Sequence, residues 1–272
     1  MNKYKVLISI AAIVVISGWL FYLNREDIQI AMTKMSSLDA TSVTHEKNNH
    51  EIVKNYRSGN LVSVTHLTKG VKQGWEYLYY ENGNIQSKVR MIKGLPEGRK
   101  EVYNTDGKLL RSENYFFGVP YGSWYHYKDD KLIGYNLYDV TGKVSFVMAY
   151  KDDGGLDVKK MDGYVVCFDF YSITAKGHRS VVVTGRNADP NPPNDINDLL
   201  ITVAAPPRTK LVVKIIINSK EISYKKRDPN TIVIQDFFKQ SGKFDIKVES
   251  SLFDMNNKNI NGINIEQTIL LE

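Results

Sequence analysis

Trp75-Glu76-Tyr77-Leu78-Tyr79-Tyr80-Glu81-Asn82-Gly83-Asn84-Ile85-Gln86-Ser87-Lys88-Val89 reads as two strand-like runs joined by an Asn-Gly turn. Aromatic and β-branched side chains suit a pleated surface. Asn82-Gly83, like Asp106-Gly107 further on, is a dipeptide that permits φ > 0 at both central positions of a tight hairpin turn. The pattern returns. Glycines stand at Gly59, Gly70, Gly83, Gly94, Gly107, Gly118, Gly142 and Gly155 in alternating steps of 11 and 13, with Lys131 at the one position that lacks a glycine. The repeating unit is therefore 24 residues, and the sets Gly74, Gly98, Gly122 and Tyr79, Tyr103, Tyr127 keep the same period.

A unit of this length holds one β-hairpin. A lone hairpin cannot bury its apolar face, so neighbouring hairpins must stand side by side in a long meandering sheet. Gly122-Ser123-Trp124-Tyr125-His126-Tyr127 resembles the bacterial variant of MORN repeats, as does Tyr103 followed by Asp106-Gly107-Lys108-Leu109 and then Glu113, Tyr115 and Gly118. The resemblance covers residues 56–155. It implies a binding or scaffolding module, of a family whose bacterial members include proteins labelled antitoxins. Arg99 and Lys100, standing where other units place a Trp nearby, depart from the pattern.

Outside the repeats, residues 6–23 form an uncharged, overwhelmingly apolar run of 18. As a helix it would reach about 27 Å, enough to cross the hydrocarbon of a bilayer. The run ends in bulky residues, Trp19 to Leu23, instead of the small ones of a cleavage site, so retention as an anchor is expected. Lys3 and Lys5 before it place the N-terminus in the cytoplasm and the bulk of the chain outside, periplasmic or extracellular. Residues 25–50 are polar and read as a spacer.

From Asp157 onward the glycine period is lost. Seven strand candidates follow, at 164–171, 178–184, 199–204, 211–217, 231–234, 243–250 and 264–271, separated by polar or Pro-containing loops. That number and spacing fit an immunoglobulin-like β-sandwich. The expected protein is all-β throughout, with one N-terminal transmembrane helix: anchor 1–24, spacer 25–50, MORN-like hairpin repeats 51–155 and sandwich 157–272. The repeat sheet and the sandwich are expected to fold as separate units joined at residues 151–155.

The net charge of +6 is spread among acids and bases, without the basic stripe that nucleic-acid binding needs. The densest cluster, Lys225-Lys226-Arg227, reads as a solvated turn. Cys167 is the only cysteine, which rules out an intramolecular disulfide; it lies too far from the N-terminus for lipid attachment and reads as a buried structural thiol. The five histidines are dispersed, and there is no H-E-x-x-H, no G-x-S-x-G and no phosphate-cradling loop. The sequence thus calls for no catalytic residue, metal or cofactor. Residues 189–198 gather carboxylates and amides among prolines and read first as a rigid loop, second as a Ca²⁺ site or a partner-binding tip.

The expected function is binding or scaffolding at the inner (plasma) membrane, with another envelope protein, a glycan or lipid headgroups as partner. An immunity protein against a toxin is a narrower version. Trp75, Tyr79, Tyr103, Trp124 and Tyr127 are the candidate binding residues, because aromatics are enriched where partners bind tightly. They also have a plainer role as packing for the sheet face. The alternative is a cell-envelope hydrolase with a carboxylate site in the C-terminal domain.

Overall fold

The computed structural model describes residues 40–45, 49–139, 141–173, 179–183, 199–234, 237 and 242–271. The span at 6–23, the start of the spacer and the 189–198 loop lie outside the described residues. Among those described, no helix is long and apolar enough to cross a membrane.

The repeats build one antiparallel sheet of 12 strands. It runs in order through β1 (Ala40–His45), β2 (His50–Arg57), β3 (Asn60–Thr68), β4 (Val71–Tyr79), β5 (Ile85–Ile92), β6 (Leu95–Tyr103) and β7 (Leu109–Phe116). It continues through β9 (Gly122–Lys128), β10 (Lys131–Tyr138), β11 (Val144–Tyr150) and β12 (Leu156–Gly163), with the two-residue β8 (Val119–Pro120) beside β7. Each strand pairs with its sequence neighbour, as stacked hairpins require. Strand β1 falls inside the stretch read as spacer, and β12 carries the sheet past Gly155.

Two kinds of turn alternate along the sheet. Ser58-Gly59, Lys69-Gly70, Lys93-Gly94 and Phe117-Gly118 have φ > 0 at both residues, the two-residue turn whose twist matches that of its strands. Asn82-Gly83 and Asp106-Gly107 differ from the sequence expectation, because only the glycine has φ > 0. In the latter, Gly107 N donates to Asn104 O at 3.0 Å and Asn104 N to Lys108 O at 2.8 Å, a longer loop closed by a left-handed glycine. Asn104 Oδ1 accepts from the backbone of Asp106 and Lys108, which braces the loop. At Gly107 φ is +81° and open space surrounds the Cα, so a side chain would meet backbone strain but no clash. Gly107→Val is expected to lower stability by more than about 1 kcal/mol, read as a reduced melting temperature, since a β-branched residue is strongly disfavoured in that region. An unchanged melting temperature would contradict the turn assignment.

The alternation fails at the start, where Ser58-Gly59 and Lys69-Gly70 are consecutive turns of the same two-residue kind, and again further on. The turn between β9 and β10 is Asp129-Asp130, again with φ > 0 at both residues, and Lys131, the residue that interrupts the glycine series, is already in strand β10. The corresponding turn one unit earlier is the longer loop at Gly107, so one residue has been lost. From there the left-handed turn positions Gly118, Asp130, Gly142 and Gly154 advance in steps of 12. Gly154 and not Gly155 holds the last of them.

Because side chains alternate across a strand, loss of one residue turns the whole of β10 over. Tyr135, one period after Arg111, should share its face. Instead Ser112 stands opposite Tyr125, and Tyr125 opposite Tyr135, so Tyr135 lies on the face that Arg111 does not occupy. Leu137 and, on β11, Phe146 and Met148 follow it.

That face receives the C-terminal part. Strands β13 (Val166–Ile173), β14 (Arg179–Val183), β15 (Leu199–Val203), β18 (Lys225–Asp228) and β19 (Thr231–Ile234) form a five-stranded sheet ordered β14-β13-β15-β19-β18. Strands β16 (Thr209–Ile217), β17 (Lys220–Ile222), β20 (Gly242–Asp254) and β21 (Asn259–Leu271) form a four-stranded sheet ordered β17-β16-β20-β21. The seven expected strands are all present. Strands β17 and β18 are additional, and Lys225-Lys226-Arg227 lies in edge strand β18 and not in a turn. Lysines on an edge strand discourage pairing with other chains.

One core joins all three sheets. Tyr135, Leu137, Phe146, Met148 and Tyr150 of the repeat sheet pack with Val166, Leu199, Ile201, Ile215, Ile232, Ile246, Val248 and Leu252. Among the described residues, none of β2 to β7 belongs to this core. Cys167 on β13 is half-buried, opposite Thr202. At the seam the Tyr135 hydroxyl accepts hydrogen bonds from Ser123 Oγ and Ala205 N, both at 2.9 Å. Asn230 receives Ser123 N on its Oδ1 and donates through Nδ2 to Val203 O, while the Tyr121 and Thr231 hydroxyls bond each other. Buried polar groups are thereby satisfied across the junction.

Candidate functional site

Strands β2 to β7 form a single layer that gives no residue to the shared core, although Ser87, Val89, Met91 and Glu113 on one of its faces are buried. The face continuous with Tyr125 and Tyr135 can be followed outward through directly opposed pairs: Ser112 with Glu101, Glu101 with Lys88, Lys88 with Tyr77. Trp75, Tyr77 and Tyr79 lie along β4 on this side, with ring centroids 6.1 and 6.5 Å apart in sequence. Trp75 is 42% exposed and stands directly opposite Arg90. A cleft of about 560 Å³ beside Tyr79 is lined also by Val62, Arg57 and Gln86.

Next to this row is a charged group centred on Glu101. Its carboxylate takes Lys88 Nζ at 2.6 Å, Arg99 at 3.2 Å and the Tyr103 hydroxyl at 2.6 Å. Lys88 Nζ also lies 5.8 Å from the centre of the Tyr103 ring, within cation–π range. Burial works to raise the Glu101 pKa, but the bonds from Lys88 and Tyr103 outweigh it and hold the carboxyl below its usual range. Lys88 is raised in turn, chiefly by its bond to Glu101. At neutral pH one carboxylate thus holds two cations and a neutral hydroxyl, which leaves the group with one positive charge in excess.

The opposite face is built differently. Trp124 is held between Tyr115 and Tyr138, at 5.5 and 4.5 Å, and its Nε1 donates to Asn114 O at 2.9 Å. Glu113, only 3% exposed, accepts from Arg111 Nε at 2.7 Å and from the Tyr115 hydroxyl at 3.0 Å, with Lys100 at 3.8 Å. Burial first, then the Glu113 charge, pushes the Tyr115 hydroxyl pKa far up. His126 lies directly opposite Arg111, and its Nε2 is buried without a hydrogen-bond partner.

Of the five aromatic residues picked from the sequence, Trp75, Tyr79, Tyr103 and Tyr127 share the first face. Trp124 is alone on the second, where it packs. Sequence reasoning missed Tyr77, Lys88, Arg90, Arg99 and Glu101. Their signal is the two-residue alternation: once the Gly83 turn is set, every second residue of β5 must face the Trp75 row. Among the described residues no group of three His, Cys, Asp or Glu side chains is arranged to hold a metal ion.

His126 supplies a pH test of the far face. Its pKa is lowered by burial and then by the Arg111 charge, against an opposing effect of Glu113. The unfolded chain therefore binds this proton more readily than the folded one, so stability is full above the unfolded value of about 6.5 and falls as pH drops through and below it. Melting curves from pH 7.5 to 5 are expected to decline more steeply for the natural protein than for His126→Leu. Parallel declines would exclude the assignment.

No family model matches the chain, and no curated protein matches it. The family question therefore rests on the repeat pattern and on the meandering sheet, which is consistent with MORN-like repeats.

Proposed function

We propose that this is a membrane-anchored, extracytoplasmic binding protein that engages its partner through the open face of a MORN-like repeat sheet. The observation that carries this reading is the Trp75–Tyr77–Tyr79 row, with Trp75 exposed and both tyrosines half-buried, on a single-layer sheet whose strands β2 to β7 give nothing to the shared core. Aromatic side chains left on a surface that packing does not need favour a contact with another molecule. The C-terminal part is an immunoglobulin-like sandwich in this reading. Its order β13-β15-β19-β18 over β17-β16-β20-β21 supports that, being the A-B-E-D and C′-C-F-G arrangement with β14 added. The apolar run 6–23 and the lysines before it support the anchor and the orientation. An immunity-type role fits the same surface, with a toxin as partner.

The test has two arms. Protease added to intact spheroplasts is expected to digest the chain beyond about Arg25, and the solubilised protein is expected to retrieve an envelope component that Trp75→Ala/Tyr79→Ala fails to retrieve. Full protection from protease would overturn the orientation. Retrieval unaffected by the double substitution would move the site elsewhere.

A further inference from the structure

We infer that the Trp75 face takes an acidic polypeptide segment, laid across β4 to β9. This rests on the binding reading above and names the partner's chemistry. The charges of this face are unequal in number and in commitment. Glu101 is saturated by Lys88, Arg99 and Tyr103, and Glu97 Oε2 is taken by Phe117 N at 2.6 Å. Arg90 forms none of the ion pairs among the described residues and is exposed, directly opposite Trp75 on one side and Glu97 on the other. Arg99 keeps a 58% exposed side chain although one of its nitrogens meets Glu101. Lys54, opposite Val64 and so on the same face as Tyr77, is exposed and also unpaired.

The face therefore sets four cations, Lys54, Lys88, Arg90 and Arg99, against the two carboxylates Glu97 and Glu101, and places guanidinium donors beside aromatic rings. Carboxylates match guanidinium groups in geometry, and aromatic rings next to them cover the aliphatic parts of the bound segment. The far face lacks this surplus, since Arg111, Lys100 and Lys72 each have a carboxylate partner in Glu113 or Glu76. From β4 to β9 the distance is four strand spacings, about 19 Å, which an extended segment covers with roughly six residues. A peptide of that length brings two or three carboxylates to one side, enough to meet Arg90 on β5 and Arg99 on β6, with Lys54 on β2 standing two strands beyond the β4 end.

The experiment uses the full chain in detergent, with Trp19→Phe so that only Trp75 and Trp124 emit, titrated with poly-L-glutamate. A saturable change in emission is expected, absent from Trp75→Phe. Arg90→Glu/Arg99→Glu is expected to weaken binding by about tenfold or more, while the same charge change at Lys225→Glu/Lys226→Glu stays within about twofold. Circular-dichroism melts verify that both variants fold, and Arg90→Gln/Arg99→Gln, with no new charge, is expected to fall between Arg90→Glu/Arg99→Glu and the parent. Equal weakening by both charge reversals would mean diffuse attraction and would overturn the inference. So would binding to phosphatidylglycerol vesicles with the same dependence on Arg90 and Arg99 but none to poly-L-glutamate, which would indicate a lipid surface. Retrieval of an envelope partner that Arg90→Glu/Arg99→Glu leaves intact would sink this inference and leave the binding function standing. Failure of the parent to retrieve anything would instead sink the function.

Discussion

Tyr135→Ala is expected to destabilise the entire folded chain, by about 3–5 kcal/mol, the loss usual for removing a large aromatic side chain from a core. Tyr135 has no exposed surface and packs among residues of all three sheets. Its ring meets Tyr125 at 5.6 Å and Phe146 at 6.3 Å, and its hydroxyl binds Ser123 and Ala205. Tyr135→Phe separates the two contributions. It keeps the ring and leaves Ala205 N and Ser123 Oγ without their acceptor, so a smaller loss of about 1–3 kcal/mol is expected. Denaturant unfolding would measure both. A loss below about 1 kcal/mol for Tyr135→Ala would show that the sheets do not depend on this junction.

The second large effect concerns the C-terminal part alone. A fragment of residues 157–272 is expected to be insoluble or to lack a cooperative transition, and to recover when residues 121–156 are restored. The sequence reading expects the opposite, an independent sandwich, because Phe244, Ile246 and Val248 alternate as a core face should. That face exists, but Tyr135, Leu137, Phe146, Met148 and Tyr150 cover part of the same core from β10 and β11. Each large apolar side chain buried contributes about 1.5–3 kcal/mol, so losing five approaches the whole stability of an ordinary domain. The fragment also loses the bonds from Tyr150 to Pro207 O and from Tyr164 N to Ser145 O. A soluble 157–272 fragment with a sharp thermal transition would restore the two-unit picture.

The hairpin sheet was legible in the sequence because its turns need left-handed residues, and glycine spacing records where those fall. What that spacing could not record was a turn made without glycine. Asp129-Asp130 takes the same conformation, and its consequence, the inversion of β10, comes from a count one residue short and not from any residue type. The junction was hidden for the same reason: Tyr135 and Leu137 look like further members of the repeat until the register is known. Strand β18 was missed because Lys225-Lys226-Arg227 has the composition of a solvated turn, and an exposed edge strand tolerates that composition. At the candidate site the aromatic column was visible as a period. Which face each member occupies, and that Arg90 stands opposite Trp75, depend on pairing between hairpins, which one strand's sequence does not contain.

The shift from steps of 11 and 13 to steps of 12 after Gly118 also divides the chain into a part whose length is free and a part whose length is fixed. Before Gly118, duplicating or deleting one 24-residue unit, such as residues 71–94, adds or removes two strands, about 10 Å of sheet, and returns every later side chain to its own face. After it, the same edit would disturb the one register that presents Tyr135 to the C-terminal sheets. Lineages of this protein can therefore vary how far the C-terminal part stands from the first strand while leaving the junction untouched, with reach changing in quanta of one hairpin.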